Sequence, residues 1–194
     1  MKILRALAVA GLLAGAAAAP AAAQPVEWAF DDTHLHLEYA VNHLGFSTSR
    51  GDFSDLQGTL MLDDANPANS SVSVTIGAAS LNTRHEPRTN HLVGADFFDV
   101  DNHPTITFVS SAVEPTGDNT ANVTGDLTIL GVTKPVTLDV TLTGRGPNPF
   151  NPAVEVVGFQ ATTTILRSEF GMGFGIPAIG DEVEITIDLE ATRS

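Results

Sequence analysis

Apolar and polar residues alternate along most of this chain, most cleanly from Val123 to Leu142, VTGDLTILGVTKPVTLDVTL. Val123, Leu127 and Ile129 share one parity before Gly131, and Val136, Leu138, Val140 and Leu142 share one after Pro135. Successive strand side chains point to opposite faces, so the pattern predicts two half-buried strands joined as a hairpin. Gly131 tolerates unusual dihedrals and Pro135 cannot donate to a central ladder, so Gly131 to Pro135 is expected to be the turn.

The same grammar recurs. Leu35, Leu37, Tyr39 and Val41 alternate with His34, His36, Glu38 and Ala40, and Asn42-His43-Leu44-Gly45 breaks the pattern. Phe53 to Leu62 resumes it, Asp63 to Pro67 is a turn cluster, and Val72 to Ala78 alternates again. Between Ser80 and Pro104 the period of two is lost, and Thr89 to Phe98 is expected to hold a short helix capped by Thr89 or Asn90. Ile106 to Ala112 restarts a strand, and the hairpin follows. Gly144 to Pro152, rich in Gly, Pro and Asn, reads as a loop. Phe159, Ala161, Thr163, Ile165 and Arg167 share a face of the next strand, and Val183, Ile185, Ile187 and Leu189 form the last. About eight strands, one or two short helices and no βαβ alternation predict an all-β fold, an eight-stranded antiparallel barrel or sandwich, in which closure would remove exposed edges.

The first residues read differently. Lys2 and Arg5 precede an Ala/Leu/Val/Gly run that ends in Ala21-Ala22-Ala23. That is the pattern of a secretory signal peptide, so residues 1–23 are expected to be removed and 24–194 to form one domain in the periplasm or outside the cell. The apolar run is too short for a membrane anchor, and stable membrane insertion is not expected. Removing the segment takes two of the nine basic residues and none of the 23 acids, leaving a net charge near −16. Such a chain lacks the basic stripe that nucleic-acid binding needs. It contains no Cys, which excludes a lipid-modified Cys, disulfides, thiol catalysis and Cys-based metal sites.

Several motifs carry a resemblance. His34-x-His36 with Val41-Asn42-His43-Leu44-Gly45 and Gly51-x-Phe53 opens it; Ser80-Leu81-x-Thr83, Arg88, His91-Leu92, Asp96-Phe97-Phe98-Asp99-Val100 and His103-Pro104-Thr105-Ile106-Thr107-Phe108 continue it. Gly125-Asp126-Leu127-Thr128-Ile129-x-Gly131-Val132-Thr133-Lys134-Pro135-Val136, Arg167-Ser168-Glu169-Phe170-Gly171-Met172 and Ile179-Gly180-Asp181-Glu182-Val183 complete it. In order and across the chain these segments resemble the YceI-like family. The resemblance implies a lipocalin-like barrel that holds a long isoprenoid-type lipid, with a pyrophosphate or quinone-like head, in the periplasm and without catalysis. Arg88-Thr89 and Val93-Gly94 depart from the family's usual Arg-Asp and basic residue, which puts the head group in question.

Parity and this resemblance together mark Phe108, Leu127, Ile129, Val136, Leu138 and Phe159 as candidates to touch a lipid chain, and Arg88, His91 and Arg167 as candidates to hold its head. An Arg ending an apolar face must reach water, a carboxylate or a ligand anion, and Glu169 and Asp181 are the acids nearest Arg167 in sequence. No cofactor is expected. His34 and His36 share a strand face, yet nothing fixes a third ligand, so no metal site is assigned. Ser168 has no recognisable His and Asp partners, and there is no Gly-x-Ser-x-Gly elbow. The Gly171-Met172-Gly173-Phe174-Gly175 run lacks the ending of a phosphate loop and reads as a loop or bulge at the barrel mouth. Two rival functions stay open: a hydrolase or isomerase using His and Asp at the mouth, and a side-chain-filled barrel acting through its surface. A homodimer is also left open.

Overall fold

The computed structural model describes residues 24–193. The predicted export segment, 1–23, lies outside the described residues. Ten strands and one α-helix follow in order: β1 (Val26–His43), β2 (Ser47–Phe53), β3 (Leu56–Leu62), β4 (Ser71–Gly77), β5 (Leu81–Asn82), α1 (Glu86–Val93), β6 (Thr105–Pro115), β7 (Thr120–Ile129), β8 (Val132–Asn148), β9 (Asn151–Leu166) and β10 (Ile179–Arg193).

All pairings are antiparallel, and they close. β2 and β3 are two halves of one bent strand, broken only at Ser54 and Asp55, and both pair with β1. β4 and β5 are likewise interrupted by a 3-10 turn over Ala78–Ser80. The circuit then runs through β6, β7, β8, β9 and β10, and β10 returns to β1 from Ala29–Thr192 to His43–Ile179. The result is a closed eight-stranded antiparallel barrel in which sequential strands are neighbours, with the first residues of β8, Val132–Leu138, left outside the β8–β9 ladder.

The strand directions give the barrel two ends. One carries the β1–β2 turn, α1 with the segment after it, the β7–β8 turn and the β9–β10 connection, which opens with a 3-10 turn over Arg167–Phe170. The other carries the β3–β4, β6–β7 and β8–β9 turns and is packed solid on one side by Trp28, Leu60, Val157 and Ala191. There the guanidinium groups of Arg145 and Arg193 both lie over the Trp28 ring, 5.0 and 4.7 Å from its centroid. Asp64 and Glu155 pair with those two arginines in turn.

Four sequence expectations change in detail. The β7–β8 turn is Leu130-Gly131, both at positive φ (53° and 73°), and Val132 to Pro135 already belong to β8. This tight turn matches the twist of the flanking strands. Pro135 fits inside a strand because Asp126–Pro135 is the third pair out from the closing pair Ile129–Val132, a position whose backbone groups face away from β7. On that outer side the pairing with β9 runs from Asp139 onward, so the missing N–H breaks no ladder bond.

The helix starts earlier than the Thr89 or Asn90 cap implies. His85 is the cap, its Nδ1 accepting the Arg88 N–H at 3.3 Å, while Thr89 Oγ1 pairs with Thr83. Gly144 to Pro152 is mostly strand: β8 runs to Asn148 and β9 begins at Asn151, with Asn148 Oδ1 accepting the N–H groups of Phe150 and Asn151. Its Gly/Pro composition reflects register shifts in the β8–β9 ladder. Finally, the second strand begins at Ser47 rather than Phe53, ahead of the alternation, because β1 pairs with it from His43–Ser47 onward.

Candidate functional site

The side chains do not fill the barrel. Its inward face encloses a cavity of about 540 Å³, bounded almost entirely by apolar groups. All six apolar candidates lie on its wall: Phe108 from β6, Leu127 and Ile129 from β7, Val136 and Leu138 from β8, and Phe159 from β9. The alternation seen in sequence puts them there. On β7 the inward Val123, Leu127 and Ile129 are buried, with Gly125 in phase, and Phe108 crosses the space that a side chain at Gly125 would occupy.

The basic residues of the wall collect at the α1 end, while Ser70 and Ser71 border the cavity at the other. Arg88, His91 and Arg167 all border the cavity there, with His43 and Ser49 from β1 and β2. Arg88 is exposed on α1, and its Nη2 donates to the Thr83 carbonyl at 2.7 Å. His91 Nε2 lies 3.0 Å from Asp96 Oδ2. Its ring packs edge-on against Phe97 and Phe174, with centroids 5.1 and 5.2 Å away. Phe98 reaches the other way and stacks edge-on with Phe53 at 5.6 Å. A band of aromatic rings therefore borders this end of the cavity.

Arg167 does not make the ion pair with Glu169 or Asp181 that its sequence neighbours suggest. It is only 5% exposed. Its Nε donates to the Gly180 carbonyl (2.8 Å), Nη1 to Met172 (2.7 Å) and Nη2 to Ile179 (3.1 Å). Asp181 instead accepts from the Ser168 backbone N–H (2.9 Å) and hydroxyl (2.7 Å). Burial pushes the Arg167 pKa down, against the pull of the Asp181 charge. The guanidinium thus ties the β9–β10 connection to the start of β10, and two of its five N–H groups remain for the cavity.

Several wall residues escaped the sequence reading, among them Tyr39, Phe53, Phe98 and Met172. Tyr39 has the parity of Leu35 and Leu37, a usable signal. Phe98 and Met172 sit outside regular strands, where parity says nothing.

The histidine pair of β1 divides. His34 lies 2.9 Å from Asp31 and 3.8 Å from Glu190, while His36 takes no part. Asp31 to His34 form a bulge of β1 opposite Glu190. The hydrogen bond to Asp31 raises the His34 pKa, and hydrogen bonds from Thr33 and His34 lower that of Asp31. This is an exposed ion pair on the outer surface, away from the cavity. Ser168 is bonded to Asp181, with no His partner among the described residues.

With this geometry, comparison with known proteins is decisive. The sequence profile of the YceI-like domain matches residues 28–191. The chain belongs to the YceI-like family. A UPF0312 protein of Pseudomonas putida strain F1 is 39% identical over 192 residues, 99% of this chain and 97% of its own length. One from Pectobacterium atrosepticum is 39% identical over 194 residues, with the same coverage. Among solved structures, Burkholderia cenocepacia BcnA matches with TM-score 0.74 and 31% identity, covering 84% of this chain and 99% of its own. A polyisoprenoid binding domain from Saccharophagus degradans, implicated in plant cell wall breakdown, matches with TM-score 0.61 over 86% of this chain and 98% of its own. At 16% identity the last speaks for the YceI-like barrel fold alone.

Proposed function

We propose that this YceI-like barrel binds the hydrocarbon chain of an isoprenoid-type lipid, non-covalently and without turnover. The observation that carries the reading is the apolar cavity of about 540 Å³ inside a closed barrel. A void of that size leaves its lining without van der Waals partners, a cost that an apolar occupant removes. Each CH₂ buried contributes about 0.8 kcal/mol before ordering costs, so the tail dominates affinity. Phe108, Leu127, Ile129, Val136, Leu138 and Phe159 touch the tail in this reading. The Saccharophagus degradans domain, described as binding polyisoprenoids on the same fold, supports it.

The head of the lipid belongs at the α1 end, where the wall's cationic groups collect. Arg88 offers a planar guanidinium suited to phosphate, and His91 a ring nitrogen. Arg167, bonded to three backbone carbonyls, braces the β9–β10 connection behind them. The protein is exported, in this reading, with mature chain beginning at Gln24.

Native mass spectrometry of the purified protein, followed by organic extraction, tests the binding. Co-purification of a prenyl-chain lipid is expected; a barrel that takes up no prenyl lipid when supplied with one would sink the reading. N-terminal sequencing of protein recovered from the periplasm tests export, and retention of Met1 to Ala23 would refute it.

A further inference from the structure

The α1 end of the barrel carries exposed apolar side chains that the fold does not need. At the tip between β1 and β2, Phe46 is 90% exposed and Leu44 is 48% exposed. Leu44 also has φ of 57°, a left-handed conformation that Asn adopts at less cost than Leu. A residue that is both exposed to water and unfavourable for its backbone earns no stability from either feature. The adjacent β9–β10 connection presents Phe174, 50% exposed. The two segments are joined, the Leu44 N–H donating to the Ala178 carbonyl at 2.9 Å. Phe174 borders the cavity as well, so the apolar surface runs from the exposed tips into the lumen.

Charge separates the two ends. Arg145 and Arg193, at the Trp28 end, are taken up by Asp64 and Glu155. Arg167 is bonded to carbonyls. The remaining basic side chains among the described residues, Arg50, Arg84, Arg88 and Lys134, lie in the α1 half of the barrel and make no ion pair. Apolar tips beside unpaired cations are what a phospholipid interface accepts, the tips at the acyl boundary and the cations at phosphate level. Acidic groups share this end, Asp96 and Glu86 included, and the mature chain is strongly negative, so an anionic surface would repel it.

We propose that Leu44, Phe46 and Phe174 form a docking rim that seats the α1 end of the barrel on a zwitterionic phospholipid bilayer. The cavity then opens onto the membrane, and a lipid chain passes between the two without crossing water. This rests on the lipid-binding reading for its purpose, but the docking can be measured without any ligand.

The test is flotation with phosphatidylcholine vesicles containing no isoprenoid. The chain should begin at Gln24, because the apolar run before it could enter vesicles by itself. The wild type should float with the vesicles, and 20% phosphatidylglycerol should not increase the bound fraction. Phe46→Ser should lower partitioning about tenfold, the effect of removing one buried aromatic side chain. Leu44→Asn with Phe46→Ser should lower it further, Asn being favoured at the backbone angle of residue 44. Phe150→Ser is the control: Phe150 is 98% exposed at the opposite end, away from the cavity wall, and its loss should change nothing. In parallel, binding of a polyprenol delivered in detergent micelles should be equal in the wild type and in Phe46→Ser, since residue 46 does not border the cavity.

A wild type that stays with the buffer overturns the proposal. So does a Phe46→Ser variant that floats as well as the wild type, or a Phe150→Ser variant that loses as much. If the rim variants behave as expected while no variant binds polyprenol, docking stands and the lipid-binding reading fails.

Discussion

Arg167 is the residue whose role sequence and structure divide. In sequence it ends an apolar face near two acids, which suggests an ion pair or a ligand anion. In the barrel three backbone carbonyls hold it. Arg167→Gln cannot reach all three, and buried carbonyls left without donors cost about 1–3 kcal/mol each before relaxation. A net loss of about 2–4 kcal/mol is expected, read as a melting temperature lowered by roughly 5–15 °C. Binding of a prenyl pyrophosphate and of the matching prenyl alcohol should weaken by a similar factor, because the α1 end of the cavity loosens for both. A loss confined to the pyrophosphate, with an unchanged melting temperature, would assign the guanidinium to the head group instead.

At the scale of one element, β7 shows how a missing side chain shapes the lumen. A Cβ on Gly125 would stand 2.5 Å from Phe108 Cζ and 2.6 Å from the Val109 carbonyl oxygen. The ring is a side chain that can move, but the carbonyl is backbone of β6, whose Val109 is paired with Asp126 of β7 and Ser73 of β4. Gly125→Ala should therefore destabilise by about 1–3 kcal/mol, as overpacking does, and should also weaken binding of a prenyl alcohol by narrowing the lumen. Denaturant melts and a binding titration check the two effects, and a variant as stable as the wild type would mean that Phe108 is free to move. On β8, Leu138 faces the same space. Leu138→Glu would bring an unpaired carboxylate to the wall and should abolish tail binding in a barrel that keeps its β-sheet circular dichroism. Undiminished binding in that folded variant would remove Leu138 from the site.

For the whole molecule, stability should depend on pH chiefly on the acid side. Hydrogen bonds hold several carboxyls below their ordinary value of 3.8: Asp63 from Asn69 and from backbone N–H groups, Asp64 from Arg145, Asp181 from Ser168. A carboxyl with depressed folded pKa adds stability that is present above its unfolded pKa and lost as pH falls through the folded value. Melting temperatures should thus hold from pH 7 down to about 5 and drop below 3.8. His34 has the opposite sign, its raised pKa giving stability below 6.5 that is lost as pH rises through the folded value. Being exposed, it should add little. Calorimetry across this range checks the profile, and a protein as stable at pH 2.5 as at pH 7 would contradict it.

The alternation of side chains was enough to determine most strands and their inward faces, because a period of two buries one face of a sheet, which a barrel and a sandwich do equally well; closure is seen only in the β10–β1 pairing. It also picked six apolar residues that lie on the cavity wall. What tertiary structure decided is local and cooperative. Whether the inward side chains meet in the middle or leave a cavity depends on the barrel's girth, which parity does not encode. Pro135 could sit in β8 only because β9 pairs further along, and Gly144 to Asn148 could remain strand only because β9 lies beside them. The partners of Arg167 are carbonyls of residues 5 to 13 positions away, groups that every residue carries and no sequence pattern distinguishes. The bulge that sets His34 against Glu190 is likewise a product of the β1–β10 register, fixed when the barrel closes.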